Sequence, residues 1–280
     1  GVFQLAIGGR GEGASMNGDL DIYTDMTIVG RGANQTIING GKLDGVLHLF
    51  TVKNAPTDPN INVSISGIRV ANGRNISTNS AQVTSGGITI ENATVNLDGV
   101  HVVNNSAHIG AGMQIGGTSV VTITNSTINS NIASSFSGGI DIFGGPTVTI
   151  TNSTISGNTA ATGGGLYIED GGPATIVTLN HTTIAFNTAT GAGGGLRSKL
   201  TTGGTSGVVF SNSILAYNTA TNAPDCLATV EKPFISLGNS IVNDATNCRG
   251  FDALNDLQAD PLLRPLTLNV PGTTPTHALM

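Results

Sequence analysis

Thr149-Ile-Thr-Asn-Ser-Thr-Ile-Ser-Gly-Asn158, followed four residues later by Gly163-Gly-Gly-Leu-Tyr-Ile168, sets the fold class, because copies of both halves recur along the chain. The first half returns as Val63–Asn72, Val95–Asn104, Thr122–Asn131, Thr178–Asn187 and Val209–Asn218. Its closing asparagines are Asn72, Asn104, Asn131, Asn158, Asn187 and Asn218, so the repeat is 27 to 32 residues long. The second half returns as Gly86–Ile90, Gly110–Ile115, Gly138–Ile142 and Gly193–Ser198. Each half alternates apolar and polar residues with period two, the mark of a short half-buried strand. The Gly and Asn between strands tolerate left-handed backbone angles and so suit corners. Strands this short cannot bury a face alone. Coiling the chain stacks each one about 4.8 Å above its equivalent in the preceding turn. The expected fold is all-β: a right-handed parallel β-helix, roughly three-sided, with Ile, Val and Leu inside and an asparagine ladder at one corner. No segment shows the 3.6-residue period of a helix over a helix length.

Outward from this centre the rhythm loosens. Gly18–Ile22, Met26–Val29, Thr36–Asn39 and Val46–Leu49 read as strands, and the abrupt opening at Gly1-Val2-Phe3 reads like mid-strand, so further chain is expected before it. The solenoid is expected over residues 1–222, with final turns and an irregular, Pro-rich cap over 223–280, since an open solenoid end exposes edges and core. Cys226 and Cys248, the chain's two cysteines, fall in that segment. A disulfide between them is expected where the repeat no longer stabilises the chain, with a pair of free structural thiols as the plainer alternative; the bond would contribute about 3 kcal/mol and imply an oxidising compartment.

Composition excludes several classes. With 38% hydrophobic and only 10% charged residues, the chain is too apolar for disorder and must carry a neutral Ser/Thr/Asn surface. The net charge is −6 and the cations are scattered. Nucleic acid, which needs clustered cations, is therefore not an expected partner. No apolar run is long enough for a membrane span.

The Gly-Gly-Gly-Leu strand with its Thr-Ile-Thr-Asn-Ser-Thr-Ile-Ser-Gly-Asn block resembles secreted bacterial β-helix proteins. The nearest are surface proteins carrying a CSLREA-type N-terminal segment, and more distantly polymorphic outer-membrane proteins and pectin-lyase-like β-helices. Gly18–Ile22, Ser236–Asn239 and Asp260–Leu263 are similar to the same group, so the likeness spans nearly the whole chain, although the CSLREA segment itself is absent. The resemblance implies architecture and an extracellular or cell-surface location. It implies no particular reaction.

Enzymes on this fold need recognisable chemistry, which fold alone does not supply. The Asn-Thr-Asp, Asp-Asp, Gly-His-Gly and Arg-Ile-Lys motifs of polygalacturonase-like enzymes are missing, so no catalytic residue is assigned. One constellation remains. Aligning the Gly-led strands places Asp141, Tyr167 and Arg197 in one outward column and Glu169 and Lys199 in the next, with Asp170 beside them. An aromatic flanked by carboxylates and cations suits sugar binding, and acid/base work could be done there; a solvated face of weak ion pairs is the plainer alternative. Asp19, Asp21 and Asp25 could gather calcium on one loop, but no glycine-aspartate nonapeptide accompanies them, so no metal or cofactor is assigned. His181 stands where other repeats have Asn125 and Asn152, which suggests a corner hydrogen bond. Outward Thr122, Thr124, Thr149 and Thr151 form an ice-binding-like array too short to rank high.

The expected function is a non-catalytic extracellular or cell-surface module (adhesin, stalk or matrix component) whose partner is a polysaccharide or cell-surface glycan. The alternative is a polysaccharide lyase or glycoside hydrolase acting on the same face. A filament subunit formed by end-to-end self-association, or an ice-binding protein, is the remote alternative.

Overall fold

A computed structural model describes residues 1–5, 19–42, 45–50, 59–75, 85–171, 174–201, 205–251 and 255–280. Gly18 of the resemblance stretch lies outside the described residues. Among these the chain is all-β, without a helix, and its parallel sheets stack as a β-solenoid of about seven turns.

One complete turn shows the plan. Val120–Thr124 is a long strand, Thr127–Asn129 a short one, Ile132–Phe136 belongs to a fourth row, and Ile140–Ile142 is the Gly-led strand. Each pairs in parallel with its equivalent one turn on: Thr147–Thr151, Thr154–Ser156, Thr159–Thr162 and Leu166–Glu169. Among the described residues the result is three main faces of eight, ten and eight strands (long-strand, short-strand and Gly-led) and a five-stranded fourth row.

Alternate residues point inward and stack in columns. Val95, Val121, Val148, Val177 and Val208 form one, Val102, Ile128, Ile155, Ile184 and Leu215 another, and Met113, Ile140, Leu166 and Leu196 a third, all essentially excluded from water. Each such side chain stabilises the fold by roughly 1.5–3 kcal/mol. The fourth row packs instead on alanines, Ala107, Ala133 and Ala160 with Ala111, and a Cβ on Gly138 or Gly164 would lie 2.5–2.6 Å from its backbone at Thr159 or Thr188.

The corners explain the two sequence signatures together. The second glycine of each pair sits so near the next turn that a Cβ on Gly112, Gly139, Gly165 or Gly195 would lie 2.3–2.6 Å from a carbonyl oxygen there. The amide of a ladder asparagine lies against the same glycine: Asn131 at Gly112, Asn158 at Gly139, Asn187 at Gly165, Asn218 at Gly195. The Asn and the Gly-Gly are one device.

The ladder differs from the expected one at its beginning. It runs through Asn105, Asn131, Asn158, Asn187 and Asn218, each Nδ2 donating to the next Oδ1 at 2.9–3.0 Å. Asn104 is instead the exposed left-handed corner residue, φ 57°. Asn72 occupies the same corner position, φ 58°, and donates to Asn39. In the first repeats the Asn of the sequence block is thus the corner residue, one position before the ladder. The ladder ends on a carboxylate: Asn218 donates to Asp225 Oδ1 at 2.8 Å, and burial raises the Asp225 pKa.

The C-terminal segment has the expected final turns and disulfide, but its tail takes a different path. Cys226–Leu227, Ile235–Ser236, Ile241–Val242 and Leu257–Gln258 add final rungs in register. Cys226 and Cys248 form the disulfide, Cα atoms 4.9 Å apart, and Phe210 packs against Phe234 and Phe251. Residues 260–280 then do not lie over the end but run back along the short-strand face as a strap. Leu263 packs on Ala185 and Ala216, the Ser156 hydroxyl meets His277 Nε2 at 2.8 Å, and Thr127 Oγ1 donates to the Pro275 carbonyl at 2.6 Å. Phe186 and Tyr217 occupy left-handed corners, costly for bulky residues. They stack on each other, Phe186 also packs on His277, and the Tyr217 hydroxyl donates to Asp260. Strap contacts offset the corner strain.

Candidate functional site

The outer surface of the Gly-led face carries much of the chain's scarce ionisable chemistry. Parallel register places Asp21 opposite His48, His48 opposite Thr89, Thr89 opposite Gln114, Gln114 opposite Asp141, Asp141 opposite Tyr167 and Tyr167 opposite Arg197. In the parallel column two residues on, Glu169 faces Lys199. The five residues from both columns are thus brought together in the aligned order.

Their exposure is not the expected one. Asp141 is 4% and Tyr167 2% exposed. The fourth row turns sharply into the Gly-led strand at left-handed Gly110, Ser137, Gly163 and Gly193, and this fold-back covers the column. A Cβ on Gly163 would lie 2.8 Å from the Tyr167 Cβ, and one on Gly110 3.0 Å from the Asp141 Cβ. Phe136 stacks on Tyr167, ring centroids 4.9 Å apart. Outward alternation here means away from the core but beneath another layer, so the continuous surface patch expected from the sequence is corrected to a buried segment leading to an open end.

The electrostatics follow from burial. Desolvation pushes the Asp141 carboxyl up to about 7, against the Gln114 amide that donates to it at 3.3 Å, and Glu169 raises it further. Burial and the Glu169 carboxylate push the Tyr167 phenol up to about 12; its hydroxyl donates to Glu169 at 3.3 Å. The Arg197 guanidinium lies 5.9 Å from the Tyr167 ring centroid, in cation–π range. Glu169 and Lys199 meet at 4.0 Å on the surface, a pair of little energetic weight. Asp170 turns away: although burial acts to raise it, hydrogen bonds from Thr201 and Ser206 hold it below its ordinary value. It accepts from the Thr201 backbone N–H at 2.6 Å and serves a loop.

Beyond Tyr167 the column opens into a cleft of about 400 Å³ at the C-terminal end. Arg197, Lys199 and Arg249 line it, with Glu231 as its carboxylate and Asn222 and Asn247 as amides. Sequence alignment of strands found Arg197 and Lys199. It missed Arg249, which the disulfide-bonded segment brings in from outside the repeat.

At the opposite end Asp19, Asp21 and His48 converge, their ligand atoms all within 4.8 Å of one another. Asp25 does not join them; its carboxylate accepts from the Asn62 N–H at 2.7 Å. His181 sits at a left-handed corner, φ 50°, with its side chain exposed, while the neighbouring corner asparagines form their own ladder, Asn152 donating to Asn125 and Asn125 to Asp98, both at 2.7 Å. Thr122 and Thr149 are in register on the long-strand face, in a column bounded by Asn96 and Val209. Among the described residues no helix is long and apolar enough to cross a membrane.

Comparison with protein-family models, with curated proteins and with solved structures finds no match to the chain.

Proposed function

We propose that this chain is a non-catalytic extracellular or cell-surface solenoid module that binds a glycan in the cleft at the C-terminal end of the Gly-led face. The supporting observation is the convergence of Arg197, Lys199 and Arg249 on one open cleft, in a chain with eleven cations and a net charge of −6. Guanidinium and ammonium groups beside amides suit sugars bearing carboxylate or sulfate groups. A disulfide near the cleft is compatible with an oxidising, extracellular setting.

A second reading, a polysaccharide lyase or glycoside hydrolase, is favoured by one observation: Asp141 titrates near neutrality, as a general acid should. Its burial beside Tyr167, under the fold-back, argues against it, since a catalytic acid must reach the glycosidic oxygen.

A glycan array probed with wild type and with Arg197→Ala/Lys199→Ala, plus product assays on each hit, tests both. Binding of acidic glycans lost in the variant, without cleavage, is expected. Cleavage that disappears in Asp141→Asn would transfer the conclusion to the enzyme. Binding of neutral glycans unaffected by the double substitution would sink the cleft as the site.

A further inference from the structure

The far end of the same face has chemistry that the glycan reading does not use. Leu20–Ile22 and Leu47–Phe50 are adjacent parallel strands, and their register sets Asp21 directly across from His48. Both belong to the outward column, and Asp19 immediately precedes the Leu20–Ile22 strand. Asp21 Oδ1 and His48 Nδ1 are 3.3 Å apart. Bonds of about 2.0–2.2 Å from zinc to nitrogen or carboxylate oxygen, in tetrahedral geometry, separate neighbouring ligand atoms by about 3.3–3.6 Å. The Asp21–His48 pair already has that spacing, and the Asp19 carboxylate lies within 4.8 Å of both.

We propose that Asp19, Asp21 and His48 form a binding site for a borderline divalent transition metal of the zinc class. The donor set selects the metal. Calcium takes oxygen ligands, six to eight of them, which an imidazole and two carboxylates do not supply. Imidazole with carboxylates suits zinc and its first-row neighbours. Burial adds a second argument: the Asp21 side chain is only 1% exposed, so a cation bound to it is attracted with little screening by bulk water. The stacked turns hold Asp21 and His48 in place without metal, so binding needs little reorganisation. Three protein ligands leave a fourth position for water or for an oxygen of a bound molecule. Asp19 and His48 are both only half-buried, which leaves that position reachable.

The test uses the tag-free full chain, stripped with chelator and titrated calorimetrically with Zn²⁺ at neutral pH. One equivalent is expected to bind. His48→Ala should weaken binding by more than about 100-fold, beyond the 10–100-fold typical of an outer-shell partner. Asp19→Asn, at a half-buried position before the strand, should weaken it too and guards against a folding defect in the histidine variant. Asp25→Asn should bind like wild type. Loading with Co²⁺ should give the visible absorption of a tetrahedral site, lost in both ligand variants. Zn²⁺ binding that survives in folded His48→Ala, no saturable binding by wild type, or Ca²⁺ displacing Zn²⁺ at equal concentration would overturn the proposal.

Discussion

Asp141 shows how far one residue can depart from the role its neighbours suggest. Alternation assigns it to the outside, and Tyr167, Glu169 and Arg197 around it look like a binding surface. The fold-back then removes it from water and makes its neutral form the stable one. Unfolded, this carboxyl ionises near 3.8; folded, it holds its proton to about 7. The stabilisation from the neutral form is therefore fully present below about pH 4 and lost as the pH rises towards 7. Asp141→Asn, which keeps an oxygen for the Gln114 amide, is expected to match wild type at pH 4. At pH 8 it should exceed wild type by about 2 kcal/mol or more. Urea unfolding of both proteins at pH 4, 6 and 8 checks this; parallel profiles would show that Asp141 ionises freely in the fold.

At the scale of the turn, the ladder asparagine and the second glycine act as a unit. Asn158 accepts from the N–H and side-chain amide of Asn131 while donating to Asn187 and to the Ile128 carbonyl, so it is satisfied entirely by neighbouring turns. Asn158→Ala strands two buried donors of Asn131, each costing about 1–3 kcal/mol. Gly139→Ala brings a Cβ within 2.3 Å of the Gly165 carbonyl and should cost about 3 kcal/mol through overpacking. Asn104→Ala, at an exposed left-handed corner, should cost only about 1–2 kcal/mol. Chemical denaturation of the three variants tests the ranking. A ladder in which Asn104 mattered as much as Asn158 would contradict the hydrogen-bond assignment.

As a whole the molecule is nearly one-dimensional: each turn touches its neighbours, and stability is a sum of local interfaces. The strap is the exception, linking residue 277 to residue 156 and residue 275 to residue 127 across several turns. The disulfide closes the last turns, where strands shorten to two residues. Reducing Cys226–Cys248 should cost about 3 kcal/mol and act locally. Hydrogen exchange is expected to quicken in the strands between 226 and 258 and to stay unchanged between 93 and 169. Uniform acceleration along the chain would show that the disulfide instead supports one cooperative unit.

The sequence by itself determined the parallel solenoid, its inward columns and the order Asp141, Tyr167, Arg197, because period-two alternation and a 27–32-residue repeat admit one way of burying short strands. It did not separate Asn104 from Asn105, since corner and ladder positions are adjacent and both favour asparagine. Only the tertiary structure decided which outward residues meet water, because alternation reports two sides of a strand and not what a preceding strand lays over one of them. Only there, too, do Arg249 join Arg197 and His48 join Asp21. Arg249 lies outside the matching blocks and arrives with the disulfide-bonded segment, and His48 lies one turn from Asp21, set across from it by turn-to-turn register rather than sequence spacing.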